Sequence, residues 1–324
     1  MCLAITMGDS SGVGPEIILK AFTQHELPED CVVIGDASIL QLCNERLGYN
    51  VPLHNITDIS ERQAGVLSVY DLALLTPDDL RIGHVSQKSG HAALAYVERA
   101  TQLALAKQVS AMVTLPINKE ATRLTAPNFS GHTEYIAELC GTQNYTMMLA
   151  SEQLIVTHVS THISLRQALE QVTTEKVLNI IRLTHDAVAK LRPRNKIAVA
   201  GLNPHAGENG SFGTEDLTAI KPAIEAARAE GIDAHGPFPP DTIFFQTVKG
   251  KAYDAVVCMY HDQGHIPMKL LDFEGGINVT LGLPIIRTSV DHGTAFDIAW
   301  QGKAFTRSLK EACELAGRLS RASR

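Results

Sequence analysis

Short runs of Val, Ile and Ala recur along this chain between longer segments whose apolar residues return every three or four positions, and that alternation restricts the fold more than any other feature. A run too short for a helix yet apolar at consecutive positions is a strand buried on both faces, the habit of parallel sheets covered by helices. The strand candidates are "LAITM" (3–7), "CVVIG" (31–35), "AMVTL" (111–115), "LIVTHV" (154–159), "KIAVAGL" (196–202) and "DAVVCMY" (254–260). Helices are expected near 14–24, 37–47, 91–107, 164–172, 175–190, 214–230 and 303–320, the fourth opened by a capping box of Ser164 and Gln167. The expected fold class is therefore α/β. At 324 residues the chain has the length of about two domains. No linker-like stretch or break in composition separates them, so two interleaved lobes are expected, with boundaries that the sequence does not mark. In open α/β sheets ligands bind in the crevice at the carboxyl ends of the strands.

A net charge of −7 and a pI near 6.0 argue against a nucleic-acid partner, which needs a basic face. The start "MCLAITMGDS" has neither a charged n-region nor a long apolar stretch, and no run approaches the roughly 18 apolar residues of a membrane span, so a cytoplasmic protein is expected. The six cysteines form no C-x-x-C pair, and several lie in apolar runs, as reduced core thiols do.

Three strand candidates lead into a histidine: "LIVTHVSTH" ends on His162, "KIAVAGLNPH" on His205 and "DAVVCMYH" on His261. On a parallel sheet all three would project from one rim, and three imidazoles are a sufficient protein set for a divalent ion that keeps a position open for substrate. Each taken alone reads more readily as an ordinary core or loop histidine; the metal reading rests on three at equivalent positions. His158, within its strand, is expected to pack. Asp262 beside His261, and Asn203 and Glu208 beside His205, can fix an imidazole's tautomer.

The segment "SGHTEYIAEL" puts His132 and Thr133 where a helix begins, and the N–H groups and dipole of a helix N-terminus favour an anion. A plain N-cap by Thr133 is the alternative. Lys269, Asn278 and Arg287 follow in segments bounded by glycine or proline, read here as loops, and with that helix N-terminus they would suffice for a phosphate monoester.

The dinucleotide signature G-x-G-x-x-G is missing after the first strand, where "MGDSSGVGPE" spaces its glycines differently, so a Rossmann domain is not expected. Near the other end "DHGTAFDIA" resembles the loop with which isocitrate and isopropylmalate dehydrogenases hold the adenosine part of NAD. Longer stretches are more specific: "MGDSSGVGPEI", "GHTEY", "GLNPHAGENGSFGTED", "GPFPPDTIF", "YHDQGHIPMK" and "NVTLGLPIIRTSVDHGTA". Together they resemble the 4-hydroxythreonine-4-phosphate dehydrogenase family from the first strand to about residue 303.

That resemblance implies an isocitrate/isopropylmalate dehydrogenase-like fold of two α/β/α lobes around a central cleft. It also implies a homodimer with its active site at the subunit interface, NAD as cofactor and a divalent metal whose histidine ligands come from both partners. The implied metal ligands are His162, His205 and His261, with zinc, magnesium, cobalt and manganese not distinguished. Substrate contacts would be His132, Thr133, Lys269, Asn278 and Arg287. The NAD loop would be Asp291, His292, Gly293, Thr294, Ala295 and Asp297, and Asp241 would be an interfacial catalytic residue.

Ser10-Ser11 stands where the pyridoxal-phosphate pathway enzymes typically read Pro-Ala, and His265 is a further departure; both look more like the branch that oxidises 4-phospho-D-threonate or 4-phospho-D-erythronate. The expected reaction is oxidation of the C3 hydroxyl followed by loss of carbon dioxide, with 4-phosphohydroxy-L-threonine as the alternative substrate. A phosphate acyltransferase on a similar fold, or a sensor that binds without turnover, are the readings of other classes.

Overall fold

The computed structural model describes residues 2–272 and 276–323. Among these, the strands in chain order are β1 (Leu3–Thr6), β2 (Cys31–Gly35), β3 (Leu53–Ile56), β4 (Leu67–Asp71), β5 (Ala111–Thr114), β6 (Thr146–Ala150), β7 (Ile155–His158), β8 (Ile197–Ala200), β9 (Ala234–Phe238), β10 (Ala255–Cys258), β11 (Ile277–Leu281) and β12 (Arg287–Ser289). The α-helices are α1 (Gly14–Thr23), α2 (Ala37–Leu47), α3 (Gln87–Leu105), α4 (Lys119–Arg123), α5 (His132–Leu139), α6 (Leu165–Glu170), α7 (Thr174–Leu191), α8 (Lys221–Ala229), α9 (Ile243–Val248), α10 (His261–Leu271) and α11 (Arg307–Arg321). The chain divides into two compact units, one running to Gln143 and resuming from Leu283 to Ala322, the other spanning Asn144–Gly282.

In the first unit the strand order is β3-β4-β2-β1-β5-β12, and each neighbouring pair is parallel. The loops that leave β1, β5 and β12 therefore rise side by side from one edge. In the second unit the order is β11-β6-β7-β10-β8-β9; β6 pairs antiparallel with both neighbours and the remaining pairs are parallel. Here the loops after β7, β10 and β8 are the ones that rise together.

All six expected strands are present. Those the sequence left unnamed are β3 and β4, which mix polar and apolar residues as half-exposed strands do, β6, β9 with its Gly236 and Pro237, and the short β11 and β12. The three loop expectations are corrected: the segment holding Lys269 is helix. Gly264 and Pro267 argue against a helix by propensity, yet α10 runs through both, packed on β7 and β10. Asn278 and Arg287, also expected in loops, lie in β11 and at the start of β12.

In the second unit α7 lays Val177, Ile180 and Ile181 onto Val199 of β8 and Val257 of β10, all buried. Each such side chain contributes about 1.5–3 kcal/mol on leaving water. Cys31, Cys43, Cys258 and Cys313 are buried free thiols, as their apolar settings suggest. Among the described residues, no helix is long and apolar enough to cross a membrane.

Helices α3 and α4 pack closely. A Cβ on Gly90 would fall on the backbone carbonyl of Ala121 and within 2.6 Å of the Thr122 nitrogen. Gly90→Ala is expected to lower stability by about 1–3 kcal/mol, read as a lower urea midpoint with an unchanged slope.

Candidate functional site

In the first unit Arg287 enters β12 beside β5 and is 2% exposed. Its Nε and Nη2 donate to Thr114 Oγ1 at 3.1 and 2.6 Å, and its Nη1 lies 3.5 Å from Thr133 Oγ1. Burial pulls the guanidinium pKa down to about 9, with Glu134 opposing, so it keeps its charge at neutral pH. Helix α5 begins at His132 and Thr133 after an extended Gly131 that offers no side-chain cap, which corrects the alternative of a Thr133 cap. His132 Nε2 is buried without a hydrogen-bond partner. Burial, then the charges of Arg287 and Lys119, hold its pKa well below the usual histidine range. A neutral imidazole, a buried guanidinium and a helix N-terminus thus converge, a chemistry suited to an anion.

The loop 291–297 follows β12 in the same unit, and tertiary contacts rather than its own sequence hold it. Val13 N–H donates to Thr294 O at 3.0 Å, and Trp300 Nε1 donates to Ser10 O at 3.2 Å. A Cβ on Gly12 would lie 2.7 Å from Thr294 O, so glycine is required for this approach. Just beyond, buried Glu16 accepts the backbone N–H groups of Gln301 at 3.1 Å and Ala304 at 2.8 Å. Ala295 has φ +43°, a left-handed residue inside the turn. His292, Gly293 and Asp297 face solvent, while Asp291, Thr294 and Ala295 are half-buried. A Cβ on Gly293 would meet nothing within 4 Å, so the outer face of the loop has room for a ligand.

Ser10 and Ser11 are both 0% exposed, and Ser11 Oγ lies 3.0 Å from Ser89 Oγ. They shape the first loop from beneath. Asp9 next to them is also fully buried; its Oδ1 accepts the Ser11 N–H at 2.9 Å and its Oδ2 has no partner.

In the second unit the three expected metal ligands follow the adjacent parallel strands β7, β10 and β8. His162 and His261 come together, with ring centroids 5.7 Å apart. His261 Nδ1 lies 2.7 Å from Asp262 Oδ1, which makes Nδ1 the protonated nitrogen and leaves the lone pair on Nε2. His205 instead packs on Phe212 at 6.1 Å, in a run where His205 to Gly210 all have positive φ. Left-handed non-glycine residues are strained, and buried Asp216 supports this run by accepting the N–H groups of Leu202 at 2.8 Å and Asn203 at 3.2 Å. Among the described residues of one chain, no group of three His, Cys, Asp or Glu side chains is arranged to hold a metal. The donor chemistry suits a divalent ion, but one chain does not assemble the set.

Lys269 is half-buried in the last turn of α10, and Asn278 Oδ1 is buried without a hydrogen-bond partner. Asp241 is exposed in the turn before α9. The sequence alone assigned no role to Asp9, Glu16 or Asp216. The three carboxylates could have been suspected from their place beside strand ends and within apolar segments, where an unpaired charge is costly.

Asp9 generates a pH prediction. Burial raises its pKa from 3.8 to about 6, against the lowering by backbone N–H groups of Ser11 and Asn118. The unfolded chain therefore gives up this proton first, and the stability present below pH 4 is lost as the pH rises through 6. Relative to Asp9→Asn, the native protein should lose on the order of 2–3 kcal/mol across that window; parallel urea-unfolding curves at successive pH values would check it.

Residues 28–316 match the model of the family described as pyridoxal phosphate biosynthetic protein PdxA. The chain is 48% identical over 325 residues to the D-threonate 4-phosphate dehydrogenase of Salmonella typhimurium, covering 98% of each. It is 45% identical over 324 residues to the 4-hydroxythreonine-4-phosphate dehydrogenase of Geobacter metallireducens, covering 98% of this chain and 95% of that one. The crystal structure of 4-hydroxythreonine-4-phosphate dehydrogenase from Klebsiella pneumoniae superposes with a TM-score of 0.88 at 45% identity, covering 98% of both chains. With its family model matched over most of its length and relatives this similar end to end, the chain belongs to the PdxA family.

Proposed function

We propose that this protein is an NAD-dependent, divalent-metal-assisted dehydrogenase that oxidises the C3 hydroxyl of a 4-phosphorylated four-carbon 3-hydroxy acid, with loss of carbon dioxide. The substrate is 4-phospho-D-threonate or 4-phospho-D-erythronate; 4-phosphohydroxy-L-threonine is the second reading, favoured by relatives such as that of Geobacter metallireducens. The observation that carries the reading is the anion seat of buried Arg287, Thr133 and the orphaned His132 Nε2, in a chain 48% identical to a dehydrogenase of D-threonate 4-phosphate. The isocitrate/isopropylmalate dehydrogenase-like architecture belongs to the same reading, supported by the loop after β12 and by glycines after β1 that miss the Rossmann spacing.

Arg287, His132 and Thr133 of the first unit bind the phosphate or carboxylate and so set where C3 lies; Lys269 and Asn278 of the second are the further substrate contacts that the family resemblance implies. Buried Arg287 is pre-oriented by Thr114, so little order is lost when an anion arrives. Asp291, His292, Gly293, Thr294, Ala295 and Asp297 form the nucleotide seat. His162, His205 and His261 hold the divalent ion across a homodimer; exposed Phe245 on α9, with Ile266 and Leu270 one turn apart on α10, supports a face covered by a second copy. When bound, the nicotinamide supplies a hydride acceptor and the ion supplies Lewis acidity at the C3 oxygen. Asp241, an exposed carboxylate, and a water on the ion are the two candidates to accept the C3 hydroxyl proton. The 3-keto acid so formed carries its carboxylate β to the new carbonyl, which is why carbon dioxide is lost.

NADH formation with the three candidate substrates, each with and without chelator, tests the reading. Turnover of the phospho-threonate or phospho-erythronate that chelation abolishes is expected; preference for the amine-bearing compound moves the protein to the second reading, and silence on all three despite NAD binding overturns the substrate assignment. Asn adopts left-handed backbone readily, so His205→Asn should keep the fold by circular dichroism while metal-dependent kcat/KM falls on the order of 100-fold. Unchanged turnover in that variant would remove His205 from the metal set.

A further inference from the structure

His265 has no role in the reaction described above, yet it sits at the centre of the histidine cluster. It lies one helical turn after His261 on α10, and the two rings stack at a centroid separation of 3.6 Å and an interplanar angle of 11°. His265 Nδ1 is 3.2 Å from His158 Nε2 and 3.0 Å from the His261 carbonyl oxygen. His158 is 1% exposed at the end of β7, and its Nδ1 is 3.3 Å from Met147 O on β6.

These contacts determine the protons. A carbonyl oxygen only accepts, so His158 Nδ1 carries hydrogen and its Nε2 is the acceptor. His265 Nδ1–H then donates to that Nε2 and to the His261 carbonyl. The second strand of support is steric: a Cβ on Gly264 would lie 2.5 Å from His158 Nε2 and 3.0 Å from Cys258 Sγ, so only glycine lets α10 approach the buried ring this closely. The sheet thus fixes His158, His158 fixes His265, and His265 presents a flat face to His261. Asp262, at 2.7 Å from His261 Nδ1, holds the other edge of that imidazole and directs its lone pair to Nε2.

We propose that His265 is a positioning residue for His261, holding its imidazole by stacking and by the hydrogen bond to buried His158 so that Nε2 is presented as the ligating nitrogen. This rests on the reading of His261 as a metal ligand. Imidazole ligands are oriented by the groups around them, and loss of such support typically costs 10–100-fold in metal affinity.

Three variants separate the contributions. His265→Leu removes both stacking and donor, His265→Phe keeps a ring without the donor, and His265→Asn keeps an amide donor near the Nδ1 position without the ring. In metal-free protein with 13C-labelled histidine rings, relaxation of the His261 ring should show it losing order in His265→Leu and recovering part of it in the other two. Titration with Co²⁺, followed by its visible absorption, should show affinity falling about 10–100-fold in His265→Leu and less in the others. Unchanged ring order in His265→Leu overturns the proposal, and so does reduced order with unchanged Co²⁺ affinity. A His261→Ala control keeps the two readings apart: if it binds Co²⁺ as the unaltered protein does, the metal assignment fails, whereas the ring-order measurement still decides whether His265 positions His261. Should His265→Leu fail to fold, the Phe and Asn variants carry the same comparison.

Discussion

Backbone N–H groups of the rim loops donate to carboxylates that are themselves buried, and the candidate site depends on that interaction. Asp9 accepts from Ser11, Glu16 from Gln301 and Ala304, Asp36 from Leu74, and Asp216 from Leu202 and Asn203. All four are 0% exposed. A hydrogen bond to a charged group contributes about 1.5–3 kcal/mol, and leaving the charge unpaired costs more. A loop held this way keeps its shape without help from regular secondary structure, and these loops are not regular.

The consequence is clearest at the two least ordinary backbones. The run from His205 to Gly210 stays left-handed because Asp216 ties down the residues just before it. The loop 291–297 lies on the first loop because Gly12 admits Thr294 and Glu16 anchors the chain beyond Trp300. In both places polar groups that a ligand could use are displayed by backbone that pays no attention to local propensity. Asp9 shows the cost of this arrangement, since burial raises its pKa to about 6 and leaves Oδ2 without a partner.

Each unit contributes its own chemistry. The first holds the buried guanidinium of Arg287, the helix N-terminus at His132 and the loop after β12. The second holds the histidine-bearing loops after β7, β10 and β8, with His162 and His261 adjacent and His158 and His265 beneath them. Neighbouring strands are about 4.8 Å apart, and β10 has β7 on one side and β8 on the other, so strand order alone serves His162 and His205 equally. The left-handed run from His205 to Gly210, which sets His205 against Phe212, is what sorts histidines that look equivalent along the chain.

By itself the sequence determined the class of fold, the six central strands and the inventory of polar residues at their ends, because hydrophobic period and strand-end chemistry are local properties. It also carried the six motifs that mark the family. It could not tell that Gly264 and Pro267 lie within a helix, because packing on β7 and β10 overrides their propensity. Nor could it show that Ser10 and Ser11 are buried beneath a loop, or that His265 rather than His205 stacks on His261. Those facts were decided by contacts between residues dozens to hundreds of positions apart, such as His158 with His265 and Ser10 with Trp300. Such pairings depend on strand order and close approach, which no local pattern records.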